Sequence, residues 1–242
     1  MSISWDVKTF TSLPSTQDYV KELADEGLHE GLVIQSLIQT KGRGRHGREW
    51  TSPMGNLYMS VLLRPGCESV DAGQLAFVAA LAVARAVEDV LDPQYQLTLK
   101  WPNDVLIDGR KCSGLLLESD IRDGELAWVA LGMGINILSC PDGAVALQDV
   151  SGKGQIPIHP FRDTVLHHLA DVYDLWTEMG FAPIRQEWLS KAHGLDKEIK
   201  VTIPGRENTG IFKTIDETGA LILMTDKGET KIYAGDVFVN SK

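Results

Sequence analysis

The sequence lacks several features that would assign it at once to a class of protein. Its longest apolar run, residues 75–84, is too short to span a bilayer. The N-terminal residues contain no basic segment followed by an apolar core, so no signal peptide is expected. Cys67, Cys112 and Cys140 are odd in number and widely spaced, which fits neither a disulfide framework nor a zinc site. These absences predict a cytoplasmic protein that does not associate with a membrane.

Positive charge is also scarce. The chain has 23 Lys and Arg against 33 Asp and Glu, which gives a formal net charge of −10. General nucleic-acid binding requires a broad basic surface, so DNA is not expected as a partner. The 242 residues, 43% of them hydrophobic, suit one large domain or a domain with a small appendage.

One short segment is basic although the chain as a whole is acidic. Residues 41–48, here called the glycine–arginine loop, contain four Lys or Arg and three Gly in eight positions. Glycine lets a backbone approach a ligand closely, and guanidinium groups match phosphate and carboxylate oxygens. The composition favours a loop that closes over a small polyanion. A charged surface loop and a contact with RNA are the alternatives, and the Gly-Lys-Ser/Thr ending of a Walker loop is missing.

A second polar segment is Lys-Trp-Pro-Asn-Asp at residues 100–104, followed by Lys111. Lys111 begins a strand that becomes apolar at once, and a lysine rooted in such a strand can serve as a fixed positive charge. Taken alone, this pattern is more typical of a hairpin with an exposed lysine at its entry.

A third pattern places Gly132 and Gly134 inside a hydrophobic strand. Glycine in a strand often marks the close approach of a ligand, although a bulge is the simpler alternative. The pattern lacks the strand-to-helix context of a dinucleotide fingerprint, which excludes that interpretation.

Hydrophobic periodicity predicts the secondary structure of the first 194 residues. Helices are predicted at 15–26, with Ser15 as N-cap, and at 71–91, 160–179 and 183–192. Strands are predicted at 31–39, 56–63, 97–101, 105–107, 111–118 and 126–138, the last broken by its two glycines, and 139–155 is predicted to be a flexible loop.

From residue 195 onward the pattern changes to short alternating runs separated by turns, which predicts a small all-β barrel. We therefore expect two domains, a mixed α/β catalytic domain at 1–194 and a barrel at 195–242.

Together these segments resemble the biotin protein ligase family. The matching residues are Gly-Arg-Gly-Arg-x-Gly-Arg at 42–48, Lys-Trp-Pro-Asn-Asp at 100–104, Lys111, Gly-x-Gly-Ile-Asn at 132–136, Pro-Ser-Thr at 14–16 and Gln39. The resemblance covers nearly the whole chain. It implies an α+β fold, with a mixed sheet flanked by helices and then an SH3-like barrel, in the short form without an N-terminal DNA-binding domain.

The resemblance implies a two-step reaction. Biotin is activated with ATP and Mg²⁺ as biotinyl-5′-AMP, and it is then transferred to a lysine of the biotin carboxyl carrier domain of a biotin-dependent carboxylase. A homodimer is compatible with the sequence but is not required by it. A lipoate ligase or octanoyltransferase of the same superfamily, and a non-catalytic biotin or nucleotide sensor, remain as alternatives.

The resemblance also implies roles for individual residues. The catalytic set comprises Lys111, Arg43, Arg45 and Asp104, where Asp104 would either orient the incoming lysine or bind metal. Biotin would contact Ser15, Thr16, Gln39, Gly42, Arg43, Trp50, Lys111, Gly114, Leu116, Gly132 and Gly134. ATP would contact Arg43, Arg45, Arg48, Trp101, Asn103, Lys111 and Asn136. The resemblance also implies that the 139–155 loop covers adenosine. The chain departs from the family pattern in having Gln17 in place of Asn, no aromatic residue in that loop, and no arginine in the closing strand at 235–239.

Overall fold

A computed structural model describes residues 3–122, 125–203 and 205–239. Its strands are β1 (Asp6–Phe10), β2 (Leu32–Ser36), β3 (Leu57–Leu63), β4 (Leu97–Lys100), β5 (Asp104–Ile107), β6 (Arg110–Arg122), β7 (Glu125–Ile135), β8 (Glu198–Ile203), β9 (Arg206–Ile215), β10 (Leu221–Thr225), β11 (Gly228–Ile232) and β12 (Asp236–Val239). Its helices are α1 (Thr16–Asp25), α2 (Leu75–Glu88), α3 (Leu147–Val150), α4 (Ile158–Met179) and α5 (Phe181–Ser190).

The first seven strands form one mixed sheet in the order β1-β2-β3-β7-β6-β5-β4. Strands β1 and β2 are parallel, and the remaining pairs are antiparallel. Because side chains alternate across a strand, Leu32 and Ile34 pack with α1 on one face while Val33 joins the core formed with α2, α4 and α5 on the other. The α+β class predicted from the sequence is confirmed.

Most predicted elements are present with shifted ends. Ser15 caps α1 as expected, its hydroxyl accepting from the Asp18 amide at 3.3 Å. The long helix predicted at 71–91 begins as a 3₁₀ segment, Ser69–Gln74, before α2. Strand β1 was missed because it is a sheet edge with charged and exposed residues, and so lacks an apolar pattern.

Two expectations around β7 are wrong. The strand is not broken at its glycines, because Gly132 pairs with Ser60 of β3 and Gly134 pairs with Gly114 of β6 in a continuous ladder. The segment 139–155 is not simply a flexible loop, since it contains the short helix α3 with buried Leu147.

The last five strands form an antiparallel sheet in the order β11-β10-β9-β8-β12. Among the described residues its outer strands β11 and β12 do not pair, so the predicted barrel is an open sheet. The residues at the start of β12 instead contact the glycine–arginine loop, since Arg45 donates to the Gly235 carbonyl and Arg48 pairs with Asp236. No helix in the described part of the chain is long and apolar enough to cross a membrane.

Arg64 ties the end of α1 to the sheet. Its Nε and Nη2 donate to the Leu28 carbonyl at 3.1 and 2.9 Å, and Nη2 also donates to the Ala24 carbonyl at 2.9 Å. Nη1 donates to the Ala127 carbonyl at 2.8 Å. The Ala24 carbonyl also accepts from the Gly27 amide at 3.1 Å, so the guanidinium adds to this backbone bond and joins the helix end to the loop at Leu28 and to β7 at Ala127.

We expect Arg64→Lys to lower the free energy of unfolding by about 1–3 kcal/mol, because one ammonium cannot reach all three carbonyls. Denaturant unfolding followed by far-UV circular dichroism measures the change. Arg122→Lys is the control, since its ion pairs with Asp25 and Asp120 are half exposed, and its effect should stay within about 0.5 kcal/mol. Equal effects of the two substitutions would contradict the assignment.

Candidate active site

A cavity of about 410 Å³ opens where the glycine–arginine loop faces the sheet. The start of α1, strands β6 and β7, the 101–104 turn and the start of β12 form its walls. Its lining includes all of the predicted site residues except Gly42, namely Ser15, Thr16, Gln39, Arg43, Arg45, Arg48, Trp50, Trp101, Asn103, Asp104, Lys111, Gly114, Leu116, Gly132, Gly134 and Asn136. Residues from distant parts of the sequence therefore converge on one cavity.

Hydroxyl and amide groups form one end of this cavity. The Thr16 amide and hydroxyl both donate to Gln39 Oε1, at 2.8 and 3.1 Å, and the Thr16 and Ser60 hydroxyls lie 2.9 Å apart. Gln39 Nε2 donates to the Ser52 hydroxyl at 3.0 Å. Ser60 and Ser52 were not among the predicted residues, because isolated serines in a strand and a loop carry no distinctive pattern.

Gln17 adds an unsatisfied acceptor to the same region. The residue is 3% exposed, and its Nε2 donates to the Ala130 carbonyl at 3.0 Å. Its Oε1 is buried without a partner among the described residues, and a Cβ at Gly132 would lie 2.7 Å from it. Buried polar atoms are normally paired, so this oxygen is suited to accept from a bound molecule.

Trp50 forms the apolar wall. Its ring lies against the backbone of two glycines, where a Cβ would approach to 2.6 Å at Gly134 and to 2.9 Å at Gly114. The Lys111 ammonium lies 5.2 Å from the centre of the same ring. These glycines are therefore required by the close approach of the indole to the sheet.

Gly42 lies in the wall immediately behind this surface. A Cβ there would lie 2.4 Å from the Trp50 carbonyl oxygen and 2.6 Å from the Ser52 hydroxyl. The Gly42 carbonyl accepts from the Trp50 amide at 2.9 Å. This glycine thus fixes the base of the loop beside the indole.

Lys111 and Lys100 share one carboxylate in the cavity. Lys111 Nζ lies 2.7 Å from Asp104 Oδ1, and Lys100 Nζ lies 3.4 Å from Asp104 Oδ2. Asp104 is buried, whereas the Lys111 side chain is 37% exposed. The predicted lysine is therefore fixed in position and still accessible from the cavity.

Arg45 is held by neutral oxygens. Its Nη1 donates to Asn103 Oδ1 at 3.1 Å and to the Gly235 carbonyl at 3.3 Å. Burial lowers its pKa, and the carboxylates of Asp236 and Asp104 oppose that effect. The guanidinium stays charged, and no carboxylate contacts it directly among the described residues.

Asp236, which sequence reasoning missed, forms an ion pair with Arg48. Burial favours a higher pKa for this carboxyl, but the hydrogen bond and charge of Arg48, with Arg45 nearby, hold the pKa below its usual value. The pairing of Asp236 with Arg48, 188 residues away in the sequence, leaves no local pattern from which it could be predicted.

Arg43 points to a different set of partners. Its guanidinium donates to the carboxylates of Asp18 and Glu118. The hydrogen bond to Asp18 is the largest influence on its pKa, which is raised despite partial burial.

Trp101 and Asn136 support the cavity through backbone contacts. The Trp101 indole is 2% exposed and donates to the Gly219 carbonyl of the C-terminal sheet at 2.9 Å. Asn136 Nδ2 donates to the Lys111 carbonyl at 3.4 Å. Within the described ranges, no three His, Cys, Asp or Glu residues are grouped to hold a metal ion.

Similar proteins identify the family of the chain. The biotin/lipoate A/B protein ligase family model matches residues 9–136, and the biotin protein ligase C terminal domain model matches residues 194–239. A biotin–[acetyl-CoA-carboxylase] ligase of Paracoccus denitrificans is 41% identical over 220 residues, covering 88% of this chain and 92% of that protein. The chain belongs to the biotin protein ligase family. A second relative, the bifunctional ligase/repressor BirA of Bacillus subtilis (strain 168), is 33% identical over 93% of this chain and 71% of its own length.

Solved structures of biotin protein ligases share the fold. The enzyme from Aquifex aeolicus in complex with biotin and ATP has a TM-score of 0.82 at 28% identity, covering 98% of this chain and 99% of that chain. The enzyme from Leishmania major in complex with biotinyl-5-AMP has a TM-score of 0.65 at 23% identity, covering 95% and 99%.

We expect Gly134→Ala to lower the free energy of unfolding by about 1–3 kcal/mol, because the new methyl group must displace the Trp50 ring or the strand. Gly73→Ala is the matched control, since a Cβ there meets open space and its φ lies outside the left-handed region. Its effect should stay within about 0.5 kcal/mol. Denaturant unfolding measures both, and a Gly134→Ala protein as stable as the parent would show that the indole is not fixed against the sheet.

Proposed function

We propose that this chain is an ATP-dependent biotin protein ligase. It activates biotin as biotinyl-5′-AMP and transfers it to a lysine of a biotin carboxyl carrier domain. The observation that supports the proposal is that Lys111, the neutral hydrogen-bonding groups of Thr16, Ser60 and Gln17, and the cationic Arg45 and Arg48 all line one cavity.

Biotin occupies the neutral end in this proposal. Its ureido ring needs both donors and acceptors, which the Thr16 and Ser60 hydroxyls and the unpaired Gln17 Oε1 supply. Ser15, Gln39, Gly42 and the main chain of Arg43 complete the surroundings. The apolar thiophene and valeryl chain lie along Trp50 and the strand backbone at Gly114, Leu116, Gly132 and Gly134.

The first step joins two anions. A biotin carboxylate oxygen attacks the α-phosphorus of ATP, and the bond from that phosphorus to the bridging oxygen breaks to release pyrophosphate. The repulsion between unit charges 4 Å apart is about 4 kcal/mol near a protein surface. Lys111 offsets this repulsion because its ammonium can face both groups, and Asp104 holds it in place.

The nucleotide lies toward the cationic end. Arg45 and Arg48 would contact phosphate oxygens, and Asn103 would position Arg45. Asn136 and the segment containing Trp101 would form the adenosine side. Magnesium would arrive with ATP as part of the substrate, since it binds phosphates with few protein ligands.

The second step transfers the biotinyl group. The neutral amine of the carrier lysine attacks the carbonyl carbon of the mixed anhydride, and the bond to the AMP oxygen breaks. Closure of the glycine–arginine loop would keep water from the anhydride until the carrier arrives.

Transfer of labelled biotin to a carrier domain, with ATP and magnesium, tests the proposal directly. Label incorporated only when this protein and ATP are both present is the expected result. Parallel reactions with lipoate and octanoate address the alternative superfamily activities, and more efficient use of either would overturn the choice of biotin. Biotin binding without pyrophosphate release would instead indicate a sensor.

We expect Lys111→Ala to reduce the rate of adenylate formation by about 10²-fold or more, with a much smaller loss of biotin affinity. The reason is that the charge matters most as the two anions meet. Pyrophosphate release measures the first quantity and calorimetry the second.

Lys213→Ala controls for the loss of a lysine, because Lys213 pairs with the exposed Asp196 at 2.9 Å in the C-terminal sheet. It should retain parental rates. Near-normal adenylation by Lys111→Ala would remove Lys111 from the chemical step.

A further inference from the structure

Arg43 occupies a different electrostatic environment from the other cations of the glycine–arginine loop. Its Nε donates to Asp18 Oδ1 at 3.1 Å, and its Nη2 contacts the same oxygen. Its Nη1 and Nη2 donate to the two oxygens of Glu118 at 3.2 and 2.9 Å. All three guanidinium nitrogens are therefore engaged by carboxylates.

The acidic partners come from the scaffold rather than from the loop. Asp18 lies in the first turn of α1, and Glu118 lies in β6. Lys21 adds a second cation, with its Nζ 2.9 Å from Glu118 Oε1. Two cations and two carboxylates thus form a network with no net formal charge. A guanidinium in such a network offers little attraction to a phosphate, which would also meet two adjacent negative charges.

Arg45 provides the contrast. Its direct partners are the neutral oxygens of Asn103 and Gly235, so its positive charge stays available to an anion. The two arginines are separated by one glycine, yet only Arg45 combines a cavity position with neutral partners.

The loop backbone links Arg43 to the apolar wall. Gly42 precedes it and accepts from the Trp50 amide, and Arg43 itself bridges to Glu49 across the loop. Fixing the Arg43 side chain therefore also fixes the two paired segments of the loop, 42–43 and 49–50, which present the Trp50 indole to the cavity.

We propose that the Arg43 guanidinium is a positioning group that anchors the glycine–arginine loop to Asp18 and Glu118, and that it does not bind phosphate. The proposal rests on the function given above and refines it. The main chain of Arg43 remains beside the proposed biotin site, while its side chain fixes Gly42 and Trp50 there and leaves the phosphates to Arg45 and Arg48.

Trypsin cleavage after Arg45 tests the anchor without relying on activity. Glu118→Gln keeps every cleavage site in the loop, so faster cleavage reports release of the loop. We expect a rise of about fivefold, equivalent to roughly 1 kcal/mol of loop closure. Glu207→Gln is the control, because it removes an equivalent acid from a lysine pair in the C-terminal sheet, 2.7 Å from Lys200, and it should cleave at the parental rate.

Steady-state kinetics separate an anchor from a phosphate ligand. An anchor predicts that Arg43→Gln and Glu118→Gln each raise the KM for biotin by about fivefold and leave the KM for ATP nearly unchanged. The double variant should then be no worse than Arg43→Gln alone, since that substitution already removes the contact between Arg43 and Glu118. A phosphate ligand predicts instead that Arg43→Gln raises the KM for ATP while Glu118→Gln lowers it or leaves it unchanged, and that result would overturn the proposal.

A substitute variant and two measurements that do not need activity keep the outcome clear. If Glu118→Gln fails to fold, as judged by its unfolding transition, Asp18→Asn removes the other carboxylate and the same results are expected. If the parent protein forms no adenylate, the proposed function fails. The cleavage assay and biotin calorimetry still test whether Arg43 anchors the loop, because neither needs catalytic activity. Parental cleavage rates and biotin affinity in both acid variants would refute it.

Discussion

The mutual repulsion of cations around one small cavity is the constraint on which the rest of the site depends. Five Lys or Arg side chains line it in a chain of net charge −10. The structure relieves this repulsion in three places: Asp104 lies between two lysines, Asp236 pairs with Arg48, and Asp18 with Glu118 surrounds Arg43. Each pairing fixes a long, flexible side chain before any anion enters, which reduces the ordering required on binding.

The scaffold assembles these pairs from distant elements. Antiparallel pairing of β6 with β7 sets Gly114 opposite Gly134, so two positions without side chains form one smooth surface for the Trp50 ring. The open C-terminal sheet adds a wall through Gly235 and Asp236, and the Trp101 indole joins it to the catalytic domain. The cavity therefore depends on residues from both parts of the chain.

Local patterns made much of this predictable from the sequence. Ser15 as a helix cap and the long apolar helix α2 depend on neighbouring residues, so periodicity and capping rules found them. The family resemblance predicted that three separate segments contribute to one site, which none of them indicates alone, and residues of all three line the same cavity. The ion pairs of Arg43 with Glu118 and of Arg48 with Asp236 could not be predicted from the sequence, because the partners are 75 and 188 residues apart. The sequence likewise could not predict that the last sheet is open, since the start of β12 contacts the distant residues Arg45 and Arg48.

The arrangement around Asp104 explains how a fixed lysine can also be available. Removing one partner from a buried ion pair is costly, because the remaining charge is left without compensation. Asp104 has two partners, with Lys111 at 2.7 Å and Lys100 at 3.4 Å. When an anion draws the ammonium of Lys111 away, Lys100 continues to compensate the carboxylate. In the proposed reaction the second lysine would therefore lower the cost of drawing the Lys111 ammonium toward a substrate anion, so that Lys111 would be preorganised and still able to follow developing negative charge.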